Sequence, residues 1–337
     1  MDKDDLQFGK TFCPYPFLHF HIDTRKRKRL CCHSTHEIDR STDYNTQKYK
    51  EIRQSMLDGL PVSGCQVCYD KEQRQEISER QKSIKDMMPF QSLVDSQVSD
   101  HVSGKDIMPY WYDLRLSNNC NLACQMCGPS NSSTIAKNMG LDQPFLTHEI
   151  DIDVNPDALR LYLSGGEPFM IKRFVDLLSK IENKDCEIIV NTNGTIVTEA
   201  MLGELSRFTD VCMNVSIDGH GSLNEKIRRG SKWDDVDKNV DLFLSKGWTI
   251  QVVTVLQNDN ILHLMPLARY LEDKGIRRWH WLEVEGSDDI KWQSNMDLKT
   301  TDVEPLLDMG VTKKNILVMR LLRRVIAHAQ DVNKTHG

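Results

Sequence analysis

Leu114-Arg-Leu-Ser-Asn-Asn-Cys120-Asn-Leu-Ala-Cys124-Gln-Met-Cys127 decides how the chain is read. Three cysteines fall within eight residues, spaced x3 and then x2, directly after the strand-like run Trp111–Ser117. Short-range thiolates of this kind hold iron–sulfur cubanes. A tetrahedral zinc site normally draws its ligands as two separated pairs. With three cysteines and no obvious fourth, one cluster iron is left for a ligand that is not protein. A zinc knuckle or a loop of reactive thiols is the plainer alternative.

Downstream segments extend the pattern. Strand-like runs span Tyr112–Ser117, Ala158–Ser164, Glu187–Thr192, Asp210–Ile217, Thr249–Gln257 and Arg278–Val284. Amphipathic segments lie between them. Phe174, Leu177, Leu178 and Ile181 share one helical stripe; Val236, Val240, Phe243 and Leu244 share another. Gly247 and Gly275 sit where those helices should stop. Alternating strands and helices predict βα units around a parallel sheet. In such folds chemistry collects at the C-terminal strand ends. Ser164-Gly-Gly-Glu-Pro168 ends the second of these strands, Asn191-Thr-Asn-Gly194 the third and Ser216-Ile-Asp-Gly219 the fourth. Val211, Met213, Val215 and Ile217 face one way; Cys212, Asn214, Ser216 and Asp218 face the other. Cys186 and Cys212 read as buried thiols.

The cysteine triad with these segments in order resembles the signature of the radical S-adenosylmethionine (SAM) superfamily. The resemblance implies a partial (β/α)6 TIM-type barrel and a [4Fe–4S] cluster on Cys120, Cys124 and Cys127. Its open iron would bind the amino and carboxylate groups of SAM. Reduction would cleave SAM to a 5′-deoxyadenosyl radical that abstracts hydrogen from a substrate. By the same resemblance Gly165, Gly166 and Glu167 contact the SAM amino group, and Asn193 belongs to the Thr-Asn-Gly segment. Ser216 and Asp218 are candidates for ribose or substrate contacts. Arg229, with Arg228 as the near alternative, would pair with the methionyl carboxylate, and Val255 would touch adenine. An electron donor such as flavodoxin or ferredoxin is implied.

The first hundred residues carry a second cysteine set: Cys13, Cys31 or Cys32, Cys65 and Cys68. Spacing alone allows a zinc ribbon or a second cluster. The opening Cys13-Pro-Tyr-Pro-Phe17, a hairpin leading to Cys31-Cys32, and Gly64-Cys-Gln-Val-Cys68 are similar to the twitch/SPASM modules that hold auxiliary [4Fe–4S] clusters. Those modules normally follow the barrel, whereas this one precedes it. With Cys32 as the hairpin ligand, all four positions would be protein thiols and the site would move electrons. A strand is expected over Phe12–Ile22 with a return at Leu30–Cys32, and helices over Thr46–Asp58 and Asp70–Met87. The expected domains are a small cysteine-rich α+β unit over 1–90, a linker over 91–108, the barrel over 109–290 and a helical extension over 291–337.

Composition sets the outer bounds. The 337 residues are 39% hydrophobic, enough for one large and one smaller domain, and the net charge is −6. A net negative chain has no global pull toward nucleic acid. The basic run Arg25–Arg29 lacks interleaved aromatics and reads as a solvated hairpin tip. No run approaches the roughly 18 apolar residues of a membrane span. The acidic start Met1-Asp-Lys-Asp-Asp5 is unlike a signal peptide, which predicts a cytoplasmic protein. Ten cysteines in a reducing compartment then argue for metal ligation over disulfides. A peptide or protein side chain is the first expectation for substrate and a small polar metabolite the second. The rival of another class is an iron–sulfur electron carrier on a decayed barrel.

Overall fold

The computed structural model describes residues 9–141, 149–260 and 263–283. The strands are β1 (His19–Ile22), β2 (Lys28–Arg29), β3 (Trp111–Arg115), β4 (Ala123–Cys124), β5 (Arg160–Ser164), β6 (Glu187–Thr192), β7 (Val211–Ser216), β8 (Arg228–Arg229), β9 (Thr249–Leu256) and β10 (Arg278–Glu283). Eight of them make a mostly parallel sheet in the order β10-β9-β7-β6-β5-β3-β1-β2; β4 and β8 form a two-stranded ribbon. The six strands expected from the apolar runs are β3, β5, β6, β7, β9 and β10. The protein is therefore the mixed α/β fold the alternation predicts.

The chain divides into two compact units. The first comprises Met1–Asn118, Thr147–Ile189 and Ala200–Asp210. Within it β1 runs parallel to β3, with His19 opposite Trp111 and His21 opposite Asp113, and β3 runs parallel to β5. The cysteine-rich segment thus adds a strand to the sheet of β3 rather than building one of its own. Phe20, Ile22, Tyr112, Leu114, Leu161 and Leu163 are all buried on one face of these strands. Helix Lys172–Lys180 buries Phe174, Leu177 and Leu178, three of the four stripe residues, and Ile181 caps it.

The second unit comprises Asn119–Leu146, Val190–Glu199 and Val211–Gly337. Here β9 pairs in parallel with both β7 and β10. Helix Trp233–Ser245 buries Val236, Val240 and Phe243. It stops at Gly247, and helix Leu264–Asp273 stops at Gly275; both glycines have positive φ, 73° and 70°.

Several N-terminal expectations are corrected. Phe12–Ile22 is not one strand: Pro14 has φ −70° and ψ −20°, and a helical turn over Tyr15–Leu18 precedes β1. The return strand is Lys28–Arg29, one residue before Leu30–Cys32, because Asp23 Oδ1 accepts the N–H groups of Arg25 and Arg27 and tightens the turn. The basic tip is ion-paired: Arg27 meets Asp23 at 2.6 Å, and the fully buried Lys28 meets Asp39 at 3.0 Å. Asp70–Met87 splits into helices Gln66–Gln73 and Glu79–Met87. Gln75 has φ 60°, and Ser78 with Gln81 forms a capping box that starts the second helix. Gln91–Val102, read as a connection, is a helix that buries Val94, Gln97 and Val98 on one face. The expected C-terminal extension lies outside the described residues. Among those described, no helix is long and apolar enough to cross a membrane.

Candidate active site and auxiliary thiol site

The central cysteines sit on a loop held at both ends by backbone pairing and side-chain bonds. Ala123 and Cys124 pair antiparallel with Arg229 and Arg228. The Gln125 N–H donates to Ile227 O at 2.9 Å. Gln257 Nε2 donates to Gln125 Oε1 at 2.8 Å, and Gln125 Nε2 to Asp259 at 3.2 Å. On the other side, Ser133 Oγ accepts the Cys120 N–H, and Thr134 Oγ1 donates to Cys120 O at 2.7 Å. Gly230, at φ +96°, lies where a Cβ would stand 3.4 Å from Asn121 O. A loop this constrained presents three thiols from fixed backbone positions.

Two polar clusters flank the loop. Asn193 Nδ2 donates to Asn121 Oδ1 at 3.0 Å and stands 3.9 Å from Cys120 Sγ, while Asn121 Nδ2 donates to Thr195 Oγ1 at 2.9 Å. The second cluster centres on Arg228, whose Nε is 2.8 Å from Asp218 Oδ2 and whose Nη1 is 4.0 Å from Cys124 Sγ. Burial pushes the Cys124 thiol up, and the Arg228 charge pulls it back. Burial takes the Cys127 thiol up to about 11. Such thiols ionise when a cation binds them.

Two residues expected at SAM have distinct surroundings. Arg228 is buried beside the thiols, whereas Arg229 is exposed; neighbours on a two-residue strand point to opposite faces. Asp218 is fully buried, with Oδ1 accepting the Val255 N–H at 2.7 Å and Oδ2 facing Arg228. It braces Arg228 and β9. Ser216 and the Val255 side chain are half-buried and remain accessible.

The Gly-Gly-Glu-Pro turn lies in the first unit. Gly165 has φ +128°, and a Cβ there would stand 2.6 Å from Ser117 O. Gly166 N–H donates to the same carbonyl at 2.8 Å. Glu167 is fully buried, and its carboxylate accepts the Phe169 N–H at 3.3 Å. The turn therefore hugs the end of β3, and only glycine fits at 165.

Cys13, Cys31, Cys65 and Cys68 line one cavity of the first unit, together with Tyr15 and Arg80. Cys32 does not line it; that thiol is exposed, on the side of Asp113 and Arg115. Of the two hairpin thiols, Cys31 is the one that lines the cavity. Burial raises Cys13 to about 11 and Cys65 to about 12, and lifts Cys31 further, with the neighbouring thiols adding to each. The four thiols share this cavity with a buried guanidinium, and among the described residues no group of three or more Cys, His, Asp or Glu is arranged to hold a metal ion. Arg80, held by Glu72 and donating to Phe12 O at 2.9 Å, supplies the countercharge. Cys186 and Cys212 are buried elsewhere.

The spacing did not reveal Gln125, Gln257, Asn121 or Thr195 as supports of the loop. Gln125 lies inside the x2 spacer, and only its partners from distant strands give it a role. The second unit thus carries a pinned three-thiol loop, and the first unit a strand-end glycine turn. Residues 114–271 match the Radical SAM superfamily model. The family implies a [4Fe–4S] cluster and SAM, and the three-thiol donor set fits such a cluster.

Among known proteins, the chain is 30% identical over 184 residues to the tungsten-containing aldehyde ferredoxin oxidoreductase cofactor-modifying protein of Pyrococcus furiosus, covering 50% of this chain and 49% of that one. It is 23% identical over 184 residues to the antilisterial bacteriocin subtilosin biosynthesis protein AlbA of Bacillus subtilis, covering 53% and 41%. Of solved structures, Streptococcus suis SuiB aligns over 77% of this chain and 57% of its own, at 15% identity and TM-score 0.44. The chain spans about half the length or less of these curated relatives.

Proposed function

We propose that the protein uses radical SAM chemistry to oxidise or otherwise modify a peptide or protein side chain. The reading rests on one observation above others: the cavity where Cys13, Cys31, Cys65 and Cys68 converge. An auxiliary [4Fe–4S] cluster held there would have all four ligands from protein, a set suited to electron transfer. A substrate that loses hydrogen and a further electron needs such an acceptor. The name of the Bacillus relative, a bacteriocin biosynthesis protein, supports a peptide; that of the Pyrococcus relative, a cofactor-modifying protein, supports a small molecule as the second reading.

In this account Cys120, Cys124 and Cys127 hold the catalytic cluster, which when bound supplies the electron for reductive cleavage of SAM. Arg228 sets a positive charge beside Cys124, and the Gln125 bonds keep the loop from shifting. Gly165 and Gly166 let the turn close onto Ser117 O, and Asn193 fixes the Cys120 side of the loop. Ser216 and Val255 are the accessible groups of the second unit for SAM or substrate. A flavodoxin- or ferredoxin-type donor would supply electrons.

The test is anaerobic reconstitution followed by iron and sulfide analysis, then incubation with SAM, reductant and candidate peptides under mass-spectrometric detection. The reading predicts iron for two clusters and a peptide that loses hydrogen only when SAM is present. Iron for one cluster with zinc at the N-terminal site would overturn the auxiliary-cluster assignment.

A further inference from the structure

One face of the first unit's sheet is polar where the opposite face is apolar. His21 on β1 and Asp113 on β3 are register partners, and Arg115 follows two residues on, so all three project from the same side. His21 Nδ1 stands 2.9 Å from Asp113 Oδ2; the histidine side chain is 3% exposed and the aspartate side chain 11%. Arg115 ends β3 with its side chain 34% exposed. Its Nε lies 3.6 Å from Asp113 Oδ1, beyond hydrogen-bond range. Among the described residues, neither Asp113 Oδ1 nor Arg115 Nε has a hydrogen-bond partner, although both atoms are buried.

The two atoms are ion-paired with each other but too far apart for a direct hydrogen bond, so the hydrogen-bonding capacity of both is still available. The pair is complementary: one atom can only accept and the other can only donate. A carboxylate ligand would satisfy Arg115 but meet the Asp113 charge; an ammonium would do the reverse. A neutral group with a carbonyl and an N–H on the same edge, as in a primary amide, satisfies both. The position suits a substrate, since Arg115 is at the C-terminal end of its strand, where α/β folds bind ligands. His21 holds the Asp113 carboxylate on its other oxygen and fixes its orientation.

We infer that Asp113 and Arg115 form a clamp for a substrate's primary amide, such as an Asn or Gln side chain, whose carbonyl and syn N–H lie on one edge, with His21 as its positioning residue. The inference rests on the peptide reading above and narrows it to a substrate held by a neutral amide.

The test uses the cluster-reconstituted full chain labelled with [13C]histidine, titrated at fixed pH with N-acetylglycinamide and separately with acetate. The His21 ring signals, assigned through His21→Gln, report the site. The clamp predicts a saturable shift with the amide and none with acetate over the same range. In Asp113→Asn and in Arg115→Gln the amide should bind at least about tenfold more weakly, the loss of one hydrogen bond to a charged group. Arg115 is a third exposed, so its variant decides the matter should Asp113→Asn fail to fold. No shift in the wild type, or an equal shift with acetate, overturns the clamp. Unchanged amide binding in Arg115→Gln overturns it as well, leaving a water-filled gap as the explanation. Formation of 5′-deoxyadenosine by the same preparation is read separately: if it forms while the amide does not bind, the clamp fails and the radical SAM reading stands.

Discussion

Arg228 Nε lies 2.8 Å from Asp218 Oδ2, and neither side chain is exposed to more than 9%. The pair joins the end of β7 to the ribbon that carries Cys124. Removing one member leaves the other buried and uncompensated, a loss of about 3–5 kcal/mol. Arg228→Met should therefore lower the unfolding midpoint and the iron retained on the central cluster. The double change Asp218→Asn with Arg228→Met should recover part of both losses relative to the sum of the two single variants, as measured by urea unfolding and iron analysis in a double-mutant cycle. Additive losses would mean the two residues act independently.

The auxiliary site separates two adjacent cysteines. Cys31→Ala should remove about half of the iron of the reconstituted protein, that of one four-iron cluster out of two. Cys32→Ala should leave iron content unchanged, because that thiol is exposed and outside the cavity. Equal losses, or a loss with Cys32→Ala alone, would move the ligand back to position 32.

Stability should depend on His19. Burial holds this imidazole neutral, with its pKa lowered to about 4 from 6.5. The unfolded chain takes up a proton near pH 6.5 while the folded one resists until about 4, so stability is fully present above 6.5 and is lost as pH falls between them. The whole window is worth about 3 kcal/mol at roughly 1.4 kcal/mol per pH unit. Urea midpoints measured from pH 7 to pH 5 should fall in the wild type, and His19→Gln should flatten the slope. An unchanged slope in the variant would assign the pH dependence to other groups.

Gly165→Ala should destabilise by about 1–3 kcal/mol from backbone strain alone, and more from the clash with Ser117 O. Gly203→Ala is the control: it sits in helix Glu199–Leu205 with nothing within 4 Å of a new Cβ. There alanine should stabilise by about 0.5–1 kcal/mol. Urea unfolding of both variants checks the contrast.

The strands and the apolar helix stripes were legible because period-two and period-3.6 patterns report burial directly, as at Phe174 and Val236. The cysteine triad was legible because its spacing is rare. Choices between neighbours were not. Cys31 against Cys32 and Arg228 against Arg229 depend on which way an extended residue faces, and register partners set that direction, not local composition. The helix Gln91–Val102 was hidden by its polar character: it buries only three residues, one of them glutamine. The Asp113–His21 pairing could not be read because it needs β1 beside β3, and the first hundred residues looked like a separate domain. Ser78 and Gln81, by contrast, carried a capping box that the charged run around them obscured.

The central claim is that Cys120, Cys124 and Cys127 support SAM cleavage. The most direct test is 5′-deoxyadenosine formed from SAM by the anaerobically reconstituted, reduced protein beside Cys124→Ala. Product from the wild type and none from the variant is the predicted result. No product from a wild-type protein carrying its central cluster, with substrate peptides supplied, would contradict the account and favour an iron–sulfur electron carrier.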